Sequence, residues 1–140
     1  MEEKHKILLD TSAYSLFAAG NEPRLWAKMR GSQKCAFYGF EVVRQELAET
    51  PKWLLLGTRR FRDVLLEYYD GLGGHHSFQN NFLIESLARE YMHNYRGGRP
   101  AQDLLNDFLI VACASFHGLD VVVSEDRATM LSGNAVRTYK

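Results

Sequence analysis

The chain opens with a short apolar run that ends in a carboxylate. Residues 7–9 are Ile-Leu-Leu, and they are followed by Asp10, Thr11 and Ser12. Three consecutive apolar residues predict a short buried strand, and ligands gather at the carboxyl ends of strands in open parallel sheets. Asp10 is therefore a candidate site residue. The alternative stays open, because Asp, Thr and Ser are also the residues that commonly cap a following helix.

Helical and extended patterns alternate along the rest of the chain. Apolar spacing and boundary residues predict short helices over 13–19, 23–30 and 41–49, and longer ones over 59–70 (capped by Thr58), 78–95 (capped by Ser77) and 100–117. Residues 71–74 read as a flexible loop. Strands are predicted over 34–38 and 120–124, with a final edge strand over 135–139 after a helical turn at 127–132.

Strands that alternate with helices favour a parallel sheet covered on both faces. We therefore predict a three-layer α/β/α fold with a central parallel sheet of about four to five strands. A chain of 140 residues suits one domain, spanning residues 1–140, with a substantial core.

Composition narrows the class of protein. Lys+Arg and Asp+Glu are both 17, so the net charge gives no sign of nucleic-acid or membrane binding, although a local basic patch remains compatible with it. The Arg59-Arg60-Arg62 and Arg96-Arg99 clusters are either solvated surface or phosphate contacts. The two cysteines lie in apolar runs, which fits a reducing cytoplasm. No signal peptide opens the chain, and the longest apolar run, 108–114, is too short to span a membrane.

Acidic residues recur near the predicted sheet edge that carries Asp10. Glu46 borders the apolar side of the helix over 41–49, although helix glutamates are usually solvated. Asp107 lies in a nearly all-apolar helix, where a carboxylate is costly unless it is paired or binds a metal. Asp126 follows the strand over 120–124, and right-handed crossovers place that strand end beside Asp10.

Four carboxylates around one cleft repel one another and therefore need a cation. An all-oxygen ligand set suits Mg²⁺ or Mn²⁺. No His or Cys joins the set, which argues against zinc. The pair His75-His76 lacks a third ligand nearby in the sequence.

Four segments together resemble the PIN-domain ribonucleases, and especially VapC-like toxins. The segments are residues 7–12, Glu46-Leu47, Asp107 with the apolar run 110–114 and Gly118, and residues 122–126. The resemblance spans nearly the whole chain. One departure is the sequence Tyr38-Gly39-Phe40 before the Glu46 helix, where the family often has Ser or Thr. The long helices of the middle segment also exceed a minimal toxin.

The resemblance implies a metal-dependent ribonuclease that hydrolyses RNA phosphodiesters with Mg²⁺ or Mn²⁺. Its catalytic metal ligands would be Asp10, Glu46, Asp107 and Asp126, with Ser12 as a supporting hydroxyl. Toxin members are typically homodimers blocked by an antitoxin protein. Apolar residues on the first two helices also suggest a dimer surface: Tyr14, Leu16, Phe17, Leu25 and Trp26.

Two other functions remain open. A phosphatase with an aspartyl nucleophile also begins with a strand ending in Asp, but it normally has a second Asp two residues later, where this chain has Ser12. A non-catalytic module would use the acids to bind a structural ion or for no binding at all.

Overall fold

The computed structural model describes residues 4–20, 23–100 and 104–124. The strands are β1 (His5–Leu9), β2 (Cys35–Phe40), β3 (Leu55–Leu56), β4 (Arg59–Arg60), β5 (Ser77–Phe78) and β6 (Val121–Val123). The helices are α1 (Thr11–Gly20), α2 (Pro23–Gly31), α3 (Glu41–Ala48), α4 (Phe61–Gly71), α5 (Phe82–Asn94) and α6 (Leu105–Phe116), with a 3₁₀ turn at Gly73–His76.

A four-stranded parallel sheet runs in the order β5-β2-β1-β6, with helices on both faces. This confirms the predicted three-layer α/β/α fold. Helices α5 and α6 pack on each other, while α1, α3 and α4 form a second group. None of the helices within the described ranges has the length and apolarity needed to span a membrane.

The ends of β1 and β6 lie side by side in the sheet, as predicted. Leu9 of β1 pairs with Val123 of β6, and the Asp10 N–H donates to the Val123 carbonyl at 3.1 Å. Leu8 and Leu9 are 0% and 2% exposed, which confirms that the opening strand is buried. Asp10 therefore lies at the carboxyl edge of the sheet, beside the end of β6.

The predicted start of the helix over 78–95 is wrong. Ser77 and Phe78 instead form a strand that pairs with Gly39 and Phe40, and the Ser77 hydroxyl hydrogen-bonds the Tyr69 hydroxyl at 2.8 Å. The helix begins at Phe82, because the Asn81 side chain accepts the Ile84 N–H at 2.9 Å and caps it.

Three other boundaries differ from the prediction. Arg59–Arg60 pairs antiparallel with Leu55–Leu56 across a tight turn at Gly57 (φ 64°), so the next helix begins at Phe61 instead of Arg59. That helix extends to Gly71, and a 3₁₀ turn occupies part of the predicted loop. The helix predicted over 100–117 begins only at Leu105. The turn at 127–132 and the strand at 135–139 lie outside the described residues.

The predicted dimer surface is partly core. Tyr14 is 0% exposed, and Trp26 packs edge-on against Tyr68 with the ring centroids 4.5 Å apart. Leu16 and Leu25 are 50% and 40% exposed and remain available at the surface. The prediction that all five apolar residues form one outer surface is therefore wrong for Tyr14, because the sheet and α4 already cover it.

Candidate functional site

Asp10 is held rigidly at the carboxyl edge and is only 3% exposed. Its Oδ1 accepts hydrogen bonds from the Ser12 hydroxyl at 2.8 Å and from the Ala13 N–H at 2.9 Å. Its Oδ2 accepts one from the Ser124 hydroxyl at 2.5 Å. The bond from Ala13 caps α1, so the capping role left open by the sequence is real. Capping uses one oxygen and is compatible with a second role for the other.

Two hydroxyls from opposite ends of the chain clamp this carboxylate. Ser12 contacts Asp10, as the sequence suggested, and the Ser12 and Ser124 hydroxyl oxygens lie 3.3 Å apart. Ser124 was missed as a site residue. The signal was the repeated pattern of an apolar run followed by a hydroxyl, since Ser124 follows β6 and Ser12 comes shortly after β1.

Replacing Ser124 by Ala should release one oxygen of a nearly buried carboxylate. We expect unfolding to become easier by about 1–3 kcal/mol, because hydrogen bonds to charged groups are stronger than neutral ones. Ser124→Thr keeps the hydroxyl and should retain most of the stability. Urea unfolding of both variants at pH 7 measures the difference, and equal losses would show that side-chain volume, not the hydroxyl, matters at this position.

Glu46 reaches the same edge because α3 follows β2 with no intervening loop. Val42, Val43 and Leu47 are buried, and Glu46 borders that apolar face as predicted. Its Oε1 is fully enclosed, yet it has no hydrogen-bond partner among the described residues. The enclosed Thr11 hydroxyl oxygen likewise lacks a hydrogen bond within that part of the chain. A buried carboxylate oxygen without a partner is costly, so this corner of the molecule is polar and unsatisfied.

The environment of Glu46 favours its neutral form. Burial is the main cause, and the nearby charges of Asp107 and then Asp10 add to it, raising the pKa of Glu46 to about 7. The Thr11 hydroxyl is close enough to lower this pKa slightly, without reaching hydrogen-bond geometry. Asp10 and Asp107 therefore both act electrostatically on Glu46, and the three carboxylates are here called the acidic cluster.

Asp107 occupies the first turn of α6 and is half-buried. The sequence placed it inside a longer helix, where its charge would be costly. Because α6 begins at Leu105, the positive end of the helix dipole instead favours a carboxylate at Asp107. Asp107 lies near Glu46, as the sequence predicted. The sequence argument that its charge would be costly inside a long apolar helix does not hold, because Asp107 lies in the first turn of α6.

The fourth predicted ligand, Asp126, lies outside the described residues, as do Glu125 and Asp103. Within the described ranges, no three Asp, Glu, His or Cys side chains are arranged so that they could hold a metal ion by themselves. The structure therefore brings three of the four predicted acids to one edge, close enough to repel one another but not as a formed ligand cage.

The arginine clusters contribute little to this edge. Arg59 pairs with Glu67 at 2.6 Å and Arg62 lies 3.7 Å from Asp63, with mostly exposed partners. Arg96 donates to the carbonyl oxygens of His93 and Tyr95. These contacts favour the surface interpretation of the clusters over the phosphate one.

Comparison with known proteins gives no further guide to this site. No family model matches the chain, and neither a curated protein nor a solved structure is detectably similar to it.

Proposed function

We propose that this protein is a metal-dependent endoribonuclease of the PIN type that hydrolyses RNA phosphodiester bonds. One observation carries the proposal: at the carboxyl edge of a parallel sheet the charges of Asp10 and Asp107 act on Glu46, whose enclosed oxygen has no partner among the described residues and whose pKa is raised to about 7. Functional sites are where such perturbed groups concentrate. The order of the acids along the chain, shared with the PIN pattern, adds the substrate class.

The donor set fits a hard divalent cation. Asp10, Glu46 and Asp107 offer only oxygen ligands, which Mg²⁺ and Mn²⁺ prefer. A cation would also relieve the repulsion that raises the pKa of Glu46 and would supply a partner for its enclosed oxygen. We propose that Asp126 completes the set from the segment that follows β6.

Each residue has a proposed task in that reaction. A bound divalent ion would supply Lewis-acid stabilisation of charge on the phosphate and an activated water. Asp10 and Asp107 would hold the ion, while Glu46, which a neighbouring cation would keep ionised, is suited to accept a proton from the attacking water. Ser12 and Ser124 would orient Asp10 through their hydrogen bonds.

Cleavage should depend strictly on the metal. Incubated with mixed RNA, the purified protein should cut in the presence of Mg²⁺ or Mn²⁺ and lose at least about 100-fold of its rate in EDTA, because the ion supplies the main stabilisation of transition-state charge. Gel analysis of labelled RNA measures this. Undiminished cleavage in EDTA, or rescue by Zn²⁺ alone, would contradict the proposal.

A non-catalytic module is the second candidate, and one observation favours it. Both oxygens of Asp10 already accept hydrogen bonds, and the acids of the described residues do not form a ready ligand cage. Under this alternative, Asp10 is a structural cap and no acid substitution alters any RNA cleavage.

An aspartyl phosphatase is disfavoured by the same geometry. A nucleophilic carboxylate must reach the phosphorus, but Asp10 is 3% exposed and its two oxygens are bound by Ser12, Ala13 and Ser124. Incubation with a phosphomonoester in the same assay separates the two activities.

We further propose that the protein acts as a homodimer through α1 and α2. The exposed side chains of Leu16 and Leu25 support this surface. Sedimentation at micromolar concentration should give twice the 16.1 kDa chain mass. Leu16→Glu together with Leu25→Glu should shift the species to the monomer, because charges oppose burial of an apolar interface. A monomeric wild type would contradict the dimer proposal and would leave the nuclease proposal unaffected.

The remaining elements of the proposal are a toxin role, an antitoxin protein as partner and a cytoplasmic location. The resemblance to VapC-like toxins supports the first two. The cytoplasmic location is supported by the two cysteines, which are both free thiols, as a reducing compartment would keep them. Burial raises the pKa of the Cys113 thiol to about 12, so this thiol is not reactive.

A further inference from the structure

A second cavity lies at the amino edge of the sheet, opposite the acidic cluster. It is open to solvent, has a volume of about 290 Å³ and lies between Lys4, just before β1, the first residues of β2, the end of α2 and the 3₁₀ turn. Its polar lining side chains are those of Lys4, Arg30, Ser32, Cys35, His75 and His76. No carboxylate lines it among the residues that the structure describes. Among the described residues the charged side chains of this lining are therefore all basic.

The cations of this cavity have no ion-pair partner among the described residues. The ion pairs of the described ranges belong to Arg44, Arg59 and Arg62, so Lys4 and Arg30 have no carboxylate partner there. The Arg30 guanidinium lies 5.9 Å from the centre of the Trp26 ring, a cation–π contact that restrains it. The position of Arg30 in the last turn of α2 suits the helix dipole, but this does not account for Lys4 or the two histidines.

Ser32 adds an uncharged donor. Its Oγ accepts the backbone N–H groups of Lys34 at 3.3 Å and Cys35 at 3.2 Å. Those two bonds use the oxygen lone pairs and leave the hydroxyl hydrogen for a bound acceptor. The turn between α2 and β2 thus fixes a hydroxyl in the lining of a basic cavity.

We propose that this cavity binds a phosphate group, either as free inorganic phosphate or as a phosphomonoester. Two permanent cations, two imidazoles and a hydroxyl match a dianion with several acceptor oxygens better than they match a carboxylate with one charge. The volume of about 290 Å³ lies just below the roughly 300–1,000 Å³ range of ligand sites, so we infer that the cavity takes the phosphate group and leaves the rest of an organic ligand outside. The site is separate from the proposed nuclease function and needs no metal.

Calorimetric titration of the EDTA-treated protein with inorganic phosphate, at low ionic strength, tests the proposal. Saturable binding is expected, and Lys4→Gln combined with Arg30→Gln should weaken it about tenfold or more, because charge-assisted bonds are lost. The matched control is Arg24→Gln combined with Lys28→Gln, which removes the same charge from exposed positions on α2 outside the cavity. The control should bind phosphate as the wild type does.

Cys35 provides an independent readout. It is half-buried in the cavity lining, whereas Cys113 is buried, so iodoacetamide should label Cys35 alone. Phosphate should slow this labelling, measured by mass spectrometry, in the wild type and the control but not in the Lys4/Arg30 double variant.

The source of the phosphate follows from a parallel titration with adenosine monophosphate. Binding about tenfold tighter than that of inorganic phosphate would assign an organic phosphomonoester, and equal binding would assign free phosphate. Absence of saturable binding and of Cys35 protection would overturn the proposal. So would equal weakening by the two double variants, or binding of a dinucleotide phosphodiester in preference to both monoester and inorganic phosphate.

Discussion

Glu46→Gln is expected to lower RNA cleavage by about 10²–10³-fold, because it removes the proposed proton acceptor from the acidic cluster. It should also change how the metal-free stability depends on pH. Folding raises the pKa of Glu46 from 4.5 to about 7, so the folded wild type binds this proton more tightly than the unfolded chain does. The contribution of Glu46 to stability is therefore greatest below pH 4.5, falls as the pH rises toward 7 and is then constant.

A glutamine at position 46 cannot ionise, so this fall should be absent in Glu46→Gln. Above pH 7.5 the variant should be more stable than the wild type by about 1–2 kcal/mol, after allowance for solvent screening of a half-buried group. Urea unfolding at pH 5 and pH 8 in EDTA measures the difference.

Glu49→Gln is the matched control. Glu49 is exposed at the end of α3 and contributes only weakly to the pKa of Glu46. This variant should keep the pH dependence of the wild type and its cleavage rate. If Glu46→Gln kept the wild-type fall in stability between pH 5 and pH 8, the unpartnered carboxylate would not be the cause, and the main support for the proposed site would be lost.

Gly39→Ala is expected to destabilise the fold by about 3 kcal/mol, the upper part of the range for overpacking a filled site. A Cβ at Gly39 would overlap the Tyr69 hydroxyl and lie 2.6 Å from the Gly73 carbonyl oxygen. Tyr69 is 1% exposed and its hydroxyl bonds Ser77, while the Gly73 oxygen is backbone, so neither neighbour can move cheaply. Thermal unfolding should shift downward by about 10 °C for a chain of this size.

Gly31→Ala serves as the comparison, because a Cβ there meets nothing within 4 Å. Its melting temperature should stay close to that of the wild type. Similar losses in both variants would indicate that backbone freedom, and not packing against Tyr69 and Gly73, explains the effect.

Gly39→Ala should also lower RNA cleavage. Gly39 lies two residues before α3, so a displacement of β2 in this variant should move Glu46.

The close packing at Gly39 leaves no room for a side chain at that position, just before α3 begins. The α3 N-terminus at Phe40 has no side-chain cap. The chain enters this helix directly from a strand whose backbone contacts Tyr69 and the 3₁₀ turn.

Local signals were sufficient for much of the fold. The apolar run before Asp10 determined β1, Pro23 marked the start of α2, and the spacing of Val42, Val43 and Leu47 determined the buried face of α3. Each of these features acts within one or two turns of the chain, so the sequence alone carries it.

Short strands could not be predicted in this way. Ser77–Phe78 and the pairing of Leu55–Leu56 with Arg59–Arg60 involve two residues per strand, which is too few for a period. The first of these exists only because β2 offers an edge at Gly39–Phe40. Pairing with β2, and not the local sequence of Ser77–Phe78, therefore determined the extended conformation of this segment.

In the candidate site, too, some features follow from the sequence and others only from the tertiary structure. The sequence by itself determined which residues carry the acids and that Asp10 ends a buried strand beside the last described one. Only the tertiary structure decided that Ser124 bonds Asp10 across more than a hundred residues and that the Glu46 oxygen is enclosed with no partner in the described part of the chain. Those properties depend on burial and on neighbouring charge, and both arise when distant segments pack together.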